Sequence, residues 1–220
     1  MVFFFDCDDT LLDNDRFRAD LDTHLEREFG ADEKARYWAH YEELRGSLGY
    51  ADYLGAIQRL RLERPADPRM ATLSAFLLDY PFADRLYPGA LDVIAHCGRW
   101  GTVAILSDGD AVFQPRKLQR SGLWRAVEGR VLIYIHKEQM LDDVMKRYPS
   151  PRYAMVDDKP TILTAMKASL GRRLMTIWPR QGHYADEAVR RGDLPAADLT
   201  VAHIGDLLES DFSSMFPEHP

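Results

Sequence analysis

The sequence predicts an α/β fold with a doubly wound parallel sheet that is interrupted near its start by a helical insertion. Short apolar runs, each followed by polar residues, recur along the 220-residue chain and alternate with segments of helical periodicity. Between residues 14 and 85 these runs disappear, and apolar residues recur every three or four positions instead. Right-handed crossovers turn the alternating part into one parallel sheet with helices on both faces.

The first predicted strand is the opening apolar run. Val2 to Phe5 are consecutive apolar residues without polar alternation, which is typical of a strand buried on both faces. Asp6 and Asp8 follow at its carboxyl end, with Cys7 between them. Ligands bind at this edge of open α/β sheets, and two carboxylates placed there can serve as nucleophile and proton donor.

The insertion is predicted to contain four amphipathic helices. The first has apolar residues four apart from Phe17 onward, and the second is expected to be capped by Asp32 and to end at Gly49. The third covers about residues 53–60. The fourth begins at Asp67-Pro68, where the aspartate can cap and the proline can occupy the first turn.

The remainder of the chain alternates strands and helices to its end. Further strands are predicted at residues 102–106, 131–135, 153–157, 174–178 and 199–202, with helices near 90–97, 116–121, 141–147, 162–170 and 185–191. We therefore expect a discontinuous core of residues 1–13 and 86–220, with residues 14–85 as a separate helical unit.

Polar residues follow three of these later strands. Ser107 and Asp108 follow the second strand, Lys137 follows the third, and Asp157 and Asp158 end the fourth. Each of these groups alone has an ordinary explanation as a helix cap, a solvated cation or a pair of turn formers. Their order along the chain, each at the end of a strand, instead indicates one site shared with the acidic pair after the first strand.

This series of residues resembles the signatures of the haloacid-dehalogenase-like (HAD) superfamily. Asp6-Cys7-Asp8-Asp9-Thr10 resembles its DxDxT motif, and the later residues match its Ser or Thr, its Lys and its acidic pair. Asp9 departs from the commoner glycine after the second aspartate. The resemblance covers nearly the whole chain and implies a HAD-like Rossmannoid core, with residues 14–85 forming a helical cap inserted after the first strand.

The resemblance implies a phosphatase that hydrolyses a small phosphate monoester through an aspartyl-phosphate intermediate. Asp6 would attack phosphorus, and Asp8 would protonate the leaving oxygen and then activate water. Two carboxylates and an anionic substrate repel one another, so Mg²⁺ is the expected cofactor. Its ligands would be the Asp6 carboxylate, the Asp8 backbone carbonyl and Asp158, with Asp157 orienting bound water.

The same resemblance assigns residues to the phosphoryl group. Lys137 would be a second catalytic cation and would bind the substrate phosphate together with Ser107, Asp108 and Thr10. The Ser107 and Thr10 hydroxyls would each hold either a phosphoryl oxygen or the loop. The cap would select the substrate, a small phosphorylated metabolite, and its candidate contact residues are His40, Tyr41, Arg45, Tyr50, Tyr53, Arg59 and Arg61.

Composition excludes several classes of partner. The 28 Lys and Arg against 35 Asp and Glu give a formal charge of −7 without a basic stripe, so nucleic acid is not an expected partner. Cys7 and Cys97 have neither metal-type spacing nor a disulfide framework, which fits a reducing cytoplasm. No apolar stretch reaches the length of a membrane span.

Other readings of the same motifs stay open to different degrees. A dehalogenase on this fold typically lacks the second acid, so Asp8 argues against it. A phosphomutase or a phosphonate-cleaving relative would keep all the acids, and the latter needs a cap lysine, for which Lys34 is the only candidate. A silent ligand-binding relative would have little reason to keep clustered carboxylates, which repel one another. A phosphoacceptor receiver module would need an aspartate after the third strand, where none matches.

Overall fold

The computed structural model describes residues 1–192 and 197–212. Within these ranges the strands form one parallel sheet of six strands in the order β3-β2-β1-β4-β5-β6. The strands are β1 (Val2–Phe5), β2 (Thr102–Asp108), β3 (Val131–Tyr134), β4 (Tyr153–Val156), β5 (Leu174–Pro179) and β6 (Leu199–Val201). The predicted α/β class and parallel sheet are therefore confirmed.

The described helices flank this sheet. They are α1 (Asn14–Phe29), α2 (Ala31–Leu48), α3 (Tyr53–Glu63), α4 (Arg69–Asp79), α5 (Ala90–Cys97), α6 (Phe113–Ser121), α7 (Leu123–Ala126), α8 (Leu141–Arg147), α9 (Pro160–Leu170) and α10 (Gly182–Arg191). Short 3₁₀ turns lie at Phe82–Arg85, Lys137–Gln139, Gly171–Arg173 and Ile204–Glu209. None of the described helices is both long and apolar enough to cross a membrane.

Two details of the predicted helix starts differ from the structure. Asp32 does not cap α2, which begins one residue earlier, immediately after Gly30. Gly30 has φ 88° and ψ 171°, and this positive φ lets a single residue turn the chain from α1 into α2. Pro68 precedes the first turn of α4 instead of occupying it, while the Asp67 carboxylate accepts from the Arg69 backbone N–H as expected of a cap.

The sheet is apolar on both faces. Phe3 and Phe5 of β1 belong to one buried cluster, and Val2 and Phe4 belong to the cluster on the opposite face. All four residues of β1 are buried, as a central parallel strand requires. The first cluster continues from the sheet into the helical insertion, where it includes Phe17 of α1.

The helices α1 to α4 lie between β1 and α5 in the chain and pack against one another. Their contact with the core runs through aromatic rings: the Phe17 ring centroid lies 5.7 Å from that of Phe113 in α6 and 5.1 Å from that of Phe82. The division of the chain into a core and a separate cap domain at residues 14–85 stays a prediction.

Strand order decides where the site residues meet. β1 lies between β2 and β4, and all three are parallel, so the segments after Phe5, Asp108 and Val156 leave the sheet at the same edge. β3 adds the segment beginning at Ile135 beside β2. The polar residues that follow these strands are thereby brought to one edge of the sheet.

Candidate active site

Asp6 and Lys137 form a buried ion pair at this edge. The Lys137 side chain is 1% exposed, and its Nζ lies 2.5 Å from Asp6 Oδ1 and 2.6 Å from Asp157 Oδ2. The same ammonium donates to the Leu106 carbonyl of β2 at 3.3 Å. Burial alone would lower the pKa of Lys137, but the carboxylates of Asp157 and Asp6 raise it above its ordinary value, so the lysine stays charged.

Asp6, Asp157 and Asp158 form a buried cluster of carboxylates. One carboxylate oxygen from each lies within 4.8 Å of the others, and all three residues are buried. Among the described residues, Asp158 Oδ2 has no hydrogen-bond partner. Burial raises the pKa of Asp158 well above its ordinary value and also raises that of Asp157. An orphaned carboxylate oxygen in an all-oxygen cluster fits a hard divalent cation.

Thr10 connects the loop after β1 to this cluster. Its hydroxyl accepts from the Asp158 backbone N–H at 3.0 Å and lies 3.4 Å from Asp158 Oδ1. The residue is fully buried. These contacts join the loop after β1 to the loop after β4.

Asp8 accepts hydrogen bonds from two residues that the sequence reading missed. Lys117 Nζ lies 2.6 Å from Asp8 Oδ1, and Gln114 Nε2 donates to Asp8 Oδ2 at 3.3 Å. Both donors come from α6, one turn apart. Lys117 also donates to Asn14 Oδ1 at 3.1 Å.

Lys117 lies in an aromatic enclosure. Its Nζ is 5.7 Å from the ring centres of Phe17 and Phe82 and 5.4 Å from that of Phe113, and its side chain is 1% exposed. Burial would lower the pKa of Lys117, but Asp8 raises it above the ordinary value. The sequence could have indicated that Lys117 is buried by its position alone, because it falls four residues after Phe113 on the buried face of α6.

Ser107 and Asp108 close the other side of the site at the end of β2. The Ser107 hydroxyl accepts from Gln114 Nε2 at 3.0 Å and donates to the Asp108 carbonyl at 3.2 Å. Asp108 Oδ1 accepts from the Lys137 backbone N–H at 2.8 Å, which orients the loop that carries the lysine. Burial raises the pKa of Asp108 to about 6.

The backbone conformation and contacts of Asp9 explain how it can stand where the HAD motif more commonly has glycine. Its φ is 58°, the left-handed conformation that glycine adopts easily, and its Oδ1 accepts from the backbone N–H groups of Asn14 and Asp15 at the start of α1. His183 of α10 lies against the same turn, with Nδ1 2.6 Å from Asp15 Oδ1 and 3.5 Å from Asp9 Oδ2. No motif or spacing in the sequence singles out His183.

A cavity of about 150 Å³ lies between the core and the helical insertion. Its lining includes Asp8, Lys117 and Asp108 from the core together with side chains from α1 and α2. A cavity of this volume suits a small organic ligand.

Some of the residues predicted to contact the substrate line this cavity, and others do not. Tyr41, Arg45, Tyr50 and Tyr53 line it, together with Arg18, which the sequence reading missed. The other three candidates lie outside this lining. His40 pairs with Glu63 and Arg59 pairs with Glu43 on the surface of the insertion, and Arg61 is exposed.

Solved structures place this architecture among known enzymes. A haloacid dehalogenase-like hydrolase from Burkholderia xenovorans is 62% identical over 96% of this chain and 98% of its own, with a TM-score of 0.89. Two structures at 18% identity share the fold alone, and each comparison covers 94% of this chain and 96% of the other. One is a magnesium-bound HAD-hydrolase from Bacillus subtilis at a TM-score of 0.59, and the other is L-2-haloacid dehalogenase from Xanthobacter autotrophicus with chloropropionic acid covalently bound, at 0.60.

Comparison of the sequence with models of known protein families indicates the same family. No curated protein matches the chain significantly. The model of the haloacid dehalogenase-like hydrolases matches residues 1–169, which include the complete acidic cluster, both buried lysines and the helical insertion. Since this match covers more than half of the chain, and the Burkholderia relative is similar from end to end, the chain belongs to the haloacid dehalogenase-like hydrolase family.

Proposed function

We propose that this hydrolase is a Mg²⁺-dependent phosphatase of small phosphate monoesters. The observation that supports this most is the buried cluster of Asp6, Asp157 and Asp158, in which Asp158 Oδ2 has no hydrogen-bond partner among the described residues. A cation that this cluster could hold has a direct use in phosphoryl transfer, where negative charge collects on the transferring group. Replacement of a halide needs no such cation.

Asp6 is the proposed nucleophile. Its carboxylate would attack phosphorus, and the ester oxygen would leave as an aspartyl-phosphate forms. Lys137, in contact with both Asp6 and Asp157, would offer positive charge to the phosphoryl oxygens. Mg²⁺ held by Asp6, Asp158 and the Asp8 carbonyl, with Asp157 as a further support, would supply the remaining charge neutralisation.

Asp8 is the proposed acid and base. It would give a proton to the leaving alcohol and then take one from the water that hydrolyses the aspartyl-phosphate. Lys117 and Gln114 fix the orientation of its two oxygens. Ser107, which accepts from Gln114, and its neighbour Asp108 are proposed to contact the phosphoryl group. Thr10 is proposed to support the loop after β1.

A dehalogenase is the second candidate, because L-2-haloacid dehalogenase from Xanthobacter autotrophicus has the same fold. The presence of Asp8 argues against it, but the contacts of Asp8 are compatible with both reactions. Both oxygens of Asp8 accept hydrogen bonds, one of them from a lysine ammonium. This arrangement suits a base that activates water for ester hydrolysis, which both reactions require. Only the phosphatase additionally requires Asp8 to carry a proton for the leaving group.

A substrate panel separates the two candidates. Purified protein is assayed with small phosphate monoesters, with and without Mg²⁺, and with 2-chloropropanoate. The proposal expects release of inorganic phosphate that depends on Mg²⁺ and is abolished in Asp6→Asn, since an amide is a poor nucleophile. Chloride release without phosphate release would establish the dehalogenase instead, and phosphate release by Asp6→Asn would remove Asp6 from its role.

The same proposal assigns a partner and a compartment. A cavity of about 150 Å³ favours a small phosphorylated metabolite over a phosphoprotein. We place the protein in the cytoplasm, because its two cysteines are buried free thiols in the structure and need no oxidising compartment.

A further inference from the structure

Two guanidinium groups of the insertion border the cavity without a strong carboxylate partner. Arg18 Nη1 donates to the Tyr41 hydroxyl at 3.0 Å, and Arg45 Nη2 donates to the Tyr184 hydroxyl at 2.6 Å. In residues 1–192 and 197–212, neither guanidinium has a hydrogen bond to a carboxylate. Glu42 lies 3.8 Å from Arg18 and 3.7 Å from Arg45, and its side chain is 56% exposed, so water screens both contacts.

Other arginines of the insertion are paired differently. Arg59 Nη1 lies 2.5 Å from Glu43 Oε2, and Arg69 contacts both oxygens of Asp67. These arginines lie outside the cavity lining and have their charge compensated at hydrogen-bond distance. Arg18 and Arg45 therefore differ from these paired arginines, and from the exposed Arg61, in bordering the cavity with only the longer contacts to Glu42.

Two other cations of the lining have carboxylate partners. Lys117 pairs with Asp8, and His183 pairs with Asp15. Lys159 also borders the cavity, where its Nζ lies 4.8 Å from the ring centre of Tyr184, and it follows the proposed metal ligand Asp158 in the chain. Arg18 and Arg45 are the guanidinium groups of the lining, and the exposed Glu42 is their carboxylate contact among the described residues.

The arginines are also held in place. The Arg18 guanidinium carbon lies 4.9 Å from the ring centre of Trp38 and 5.0 Å from that of Tyr41, so two aromatic faces fix its plane. The Arg45 contact with Tyr184 joins α2 to α10 across the cavity. Planar donors fixed in this way match the two oxygens of a carboxylate.

We propose that Arg18 and Arg45 form a subsite for a carboxylate on the organic part of the substrate. The inference rests on the proposed phosphatase function and narrows it, since the substrate becomes a small phosphorylated hydroxy acid. The phosphoryl group reacts at Asp6, while the carboxylate lies toward α1 and α2 and accepts from the two guanidiniums. Neutral and cationic phosphate esters of the same size bind more weakly, because they leave both arginines with only their solvent-screened contacts to Glu42.

The test compares O-phospholactate with its neutral amide, O-phospholactamide, which has the same shape. The wild-type protein is expected to have a KM at least about tenfold lower for the acid, because a charge-assisted hydrogen bond is lost with the amide. Arg45→Met is expected to raise KM for the acid about tenfold and leave KM for the amide unchanged. Arg18→Gln, which keeps a polar donor in the half-buried position, is expected to act in the same direction.

Arg59→Met is the matched control, because it removes an arginine of the same insertion that lies outside the cavity lining. It is expected to leave both KM values unchanged. Equal KM values for acid and amide in the wild type would overturn the subsite. So would an equal rise for both compounds in Arg45→Met, since the arginines would then serve the phosphoryl group.

Binding distinguishes failure of the subsite from failure of the phosphatase function. Titration calorimetry on Asp6→Asn measures the Kd of both compounds without turnover. The phosphatase function fails if the wild type hydrolyses neither ester. The subsite still stands in that case if Asp6→Asn binds the acid at least about tenfold more tightly than the amide, and if adding Arg45→Met to Asp6→Asn abolishes this difference in Kd. If both compounds bind equally, the subsite fails whatever the reaction is.

Discussion

At the scale of single residues, the carboxylates of the site differ in the positive charge that each contacts. Asp6 and Asp157 share Lys137, and Asp8 contacts Lys117. Asp158 receives the least direct compensation, since its Oδ2 has neither a hydrogen-bond nor an ion-pair partner among the described residues, whereas Asp157 Oδ2 lies 2.6 Å from Lys137 Nζ. These differences lead to separate expectations for each carboxylate.

The first prediction distinguishes the two members of the acidic pair. Asp158→Ala is expected to raise the Mg²⁺ concentration needed for half-maximal activity more than Asp157→Ala, because Asp158 has the free oxygen and Asp157 already contacts Lys137 and the Lys159 backbone N–H. A metal titration of phosphatase activity measures both values. The opposite ranking would assign the direct ligand to Asp157.

The second prediction concerns Lys117 as a positioning residue for Asp8. Lys117→Met keeps the length of the side chain and its contacts with Phe17, Phe82 and Phe113 but removes the donor to Asp8. We expect kcat to fall roughly 10–100-fold, the loss typical of a group that orients another. The loss should be larger for an alkyl phosphate, whose leaving group needs a proton, than for nitrophenyl phosphate.

Lys34→Met is the control for this substitution, because Lys34 pairs with Asp22 and Glu26 on the insertion surface. It should retain wild-type kcat with both substrates. An equal loss with the two substrates in Lys117→Met would indicate a general structural defect and no specific effect on proton transfer.

At the scale of secondary structure elements, α10 is linked to the insertion by two contacts. His183 lies 2.6 Å from Asp15 in the first turn of α1, and Tyr184 accepts from Arg45 of α2. Both contacts cross from the core to helices that border the cavity. Asp9 contributes from the core side by accepting from the Asn14 N–H in the first turn of α1 and by lying 3.5 Å from His183.

The third prediction is a pH dependence of this link. Hydrogen bonds to Asp15 and Asp9 raise the pKa of His183 to about 10, above its ordinary value near 6.5. A raised histidine pKa gives stability that is fully present below about pH 6.5 and is lost as the pH rises toward 10. Because His183 is about half exposed, the contribution is expected to stay below about 1 kcal/mol, or roughly 2–4 °C in Tm.

Thermal unfolding of wild type and His183→Gln measures this contribution. The difference in Tm should be largest below pH 6.5 and should disappear near pH 10, while groups common to both proteins cancel in the comparison. A difference that stays constant from pH 6 to pH 10 would show that protonated His183 does not stabilise the α1–α10 contact.

At the scale of the whole molecule, the insertion and the core share one hydrophobic cluster. Phe3 and Phe5 of the sheet and Phe17 and Leu21 of α1 belong to it, and Phe113 of α6 connects the two parts. Burial of this shared surface couples the folding of one part to that of the other. A hinge motion that opens the cavity must therefore leave most of these contacts in place.

The fourth prediction follows from this shared cluster. Trp38 reports on α2 in the insertion, and Trp178 reports on β5 in the sheet. Two variants that each keep one of these tryptophans, with the others changed to Phe, are expected to show coincident urea transitions by fluorescence and by circular dichroism. Within either variant, a fluorescence midpoint that differs from the circular dichroism midpoint would identify the insertion as an independently unfolding domain.

Much of the fold and part of the site could be predicted from local patterns. Uninterrupted apolar runs such as Val2–Phe5 can be stable only when both sides are covered, so they indicated a buried parallel sheet. The strand ends then indicated where Asp6, Lys137, Asp157 and Asp158 would meet. By contrast, α7 was missed because four residues are too few to show a helical period.

The sequence by itself determined the sheet, the insertion and the acidic and cationic groups at the strand ends, because apolar periodicity and strand polarity are local properties of the chain. Only the tertiary structure decided that Lys117 would contact Asp8 and that His183 would contact Asp15, pairs that are 109 and 168 residues apart. It also decided that Arg18 and Arg45 would border the cavity while His40 would not. The physical reason is that a charged side chain takes its role from the groups packed around it, and long-range packing brings those groups together.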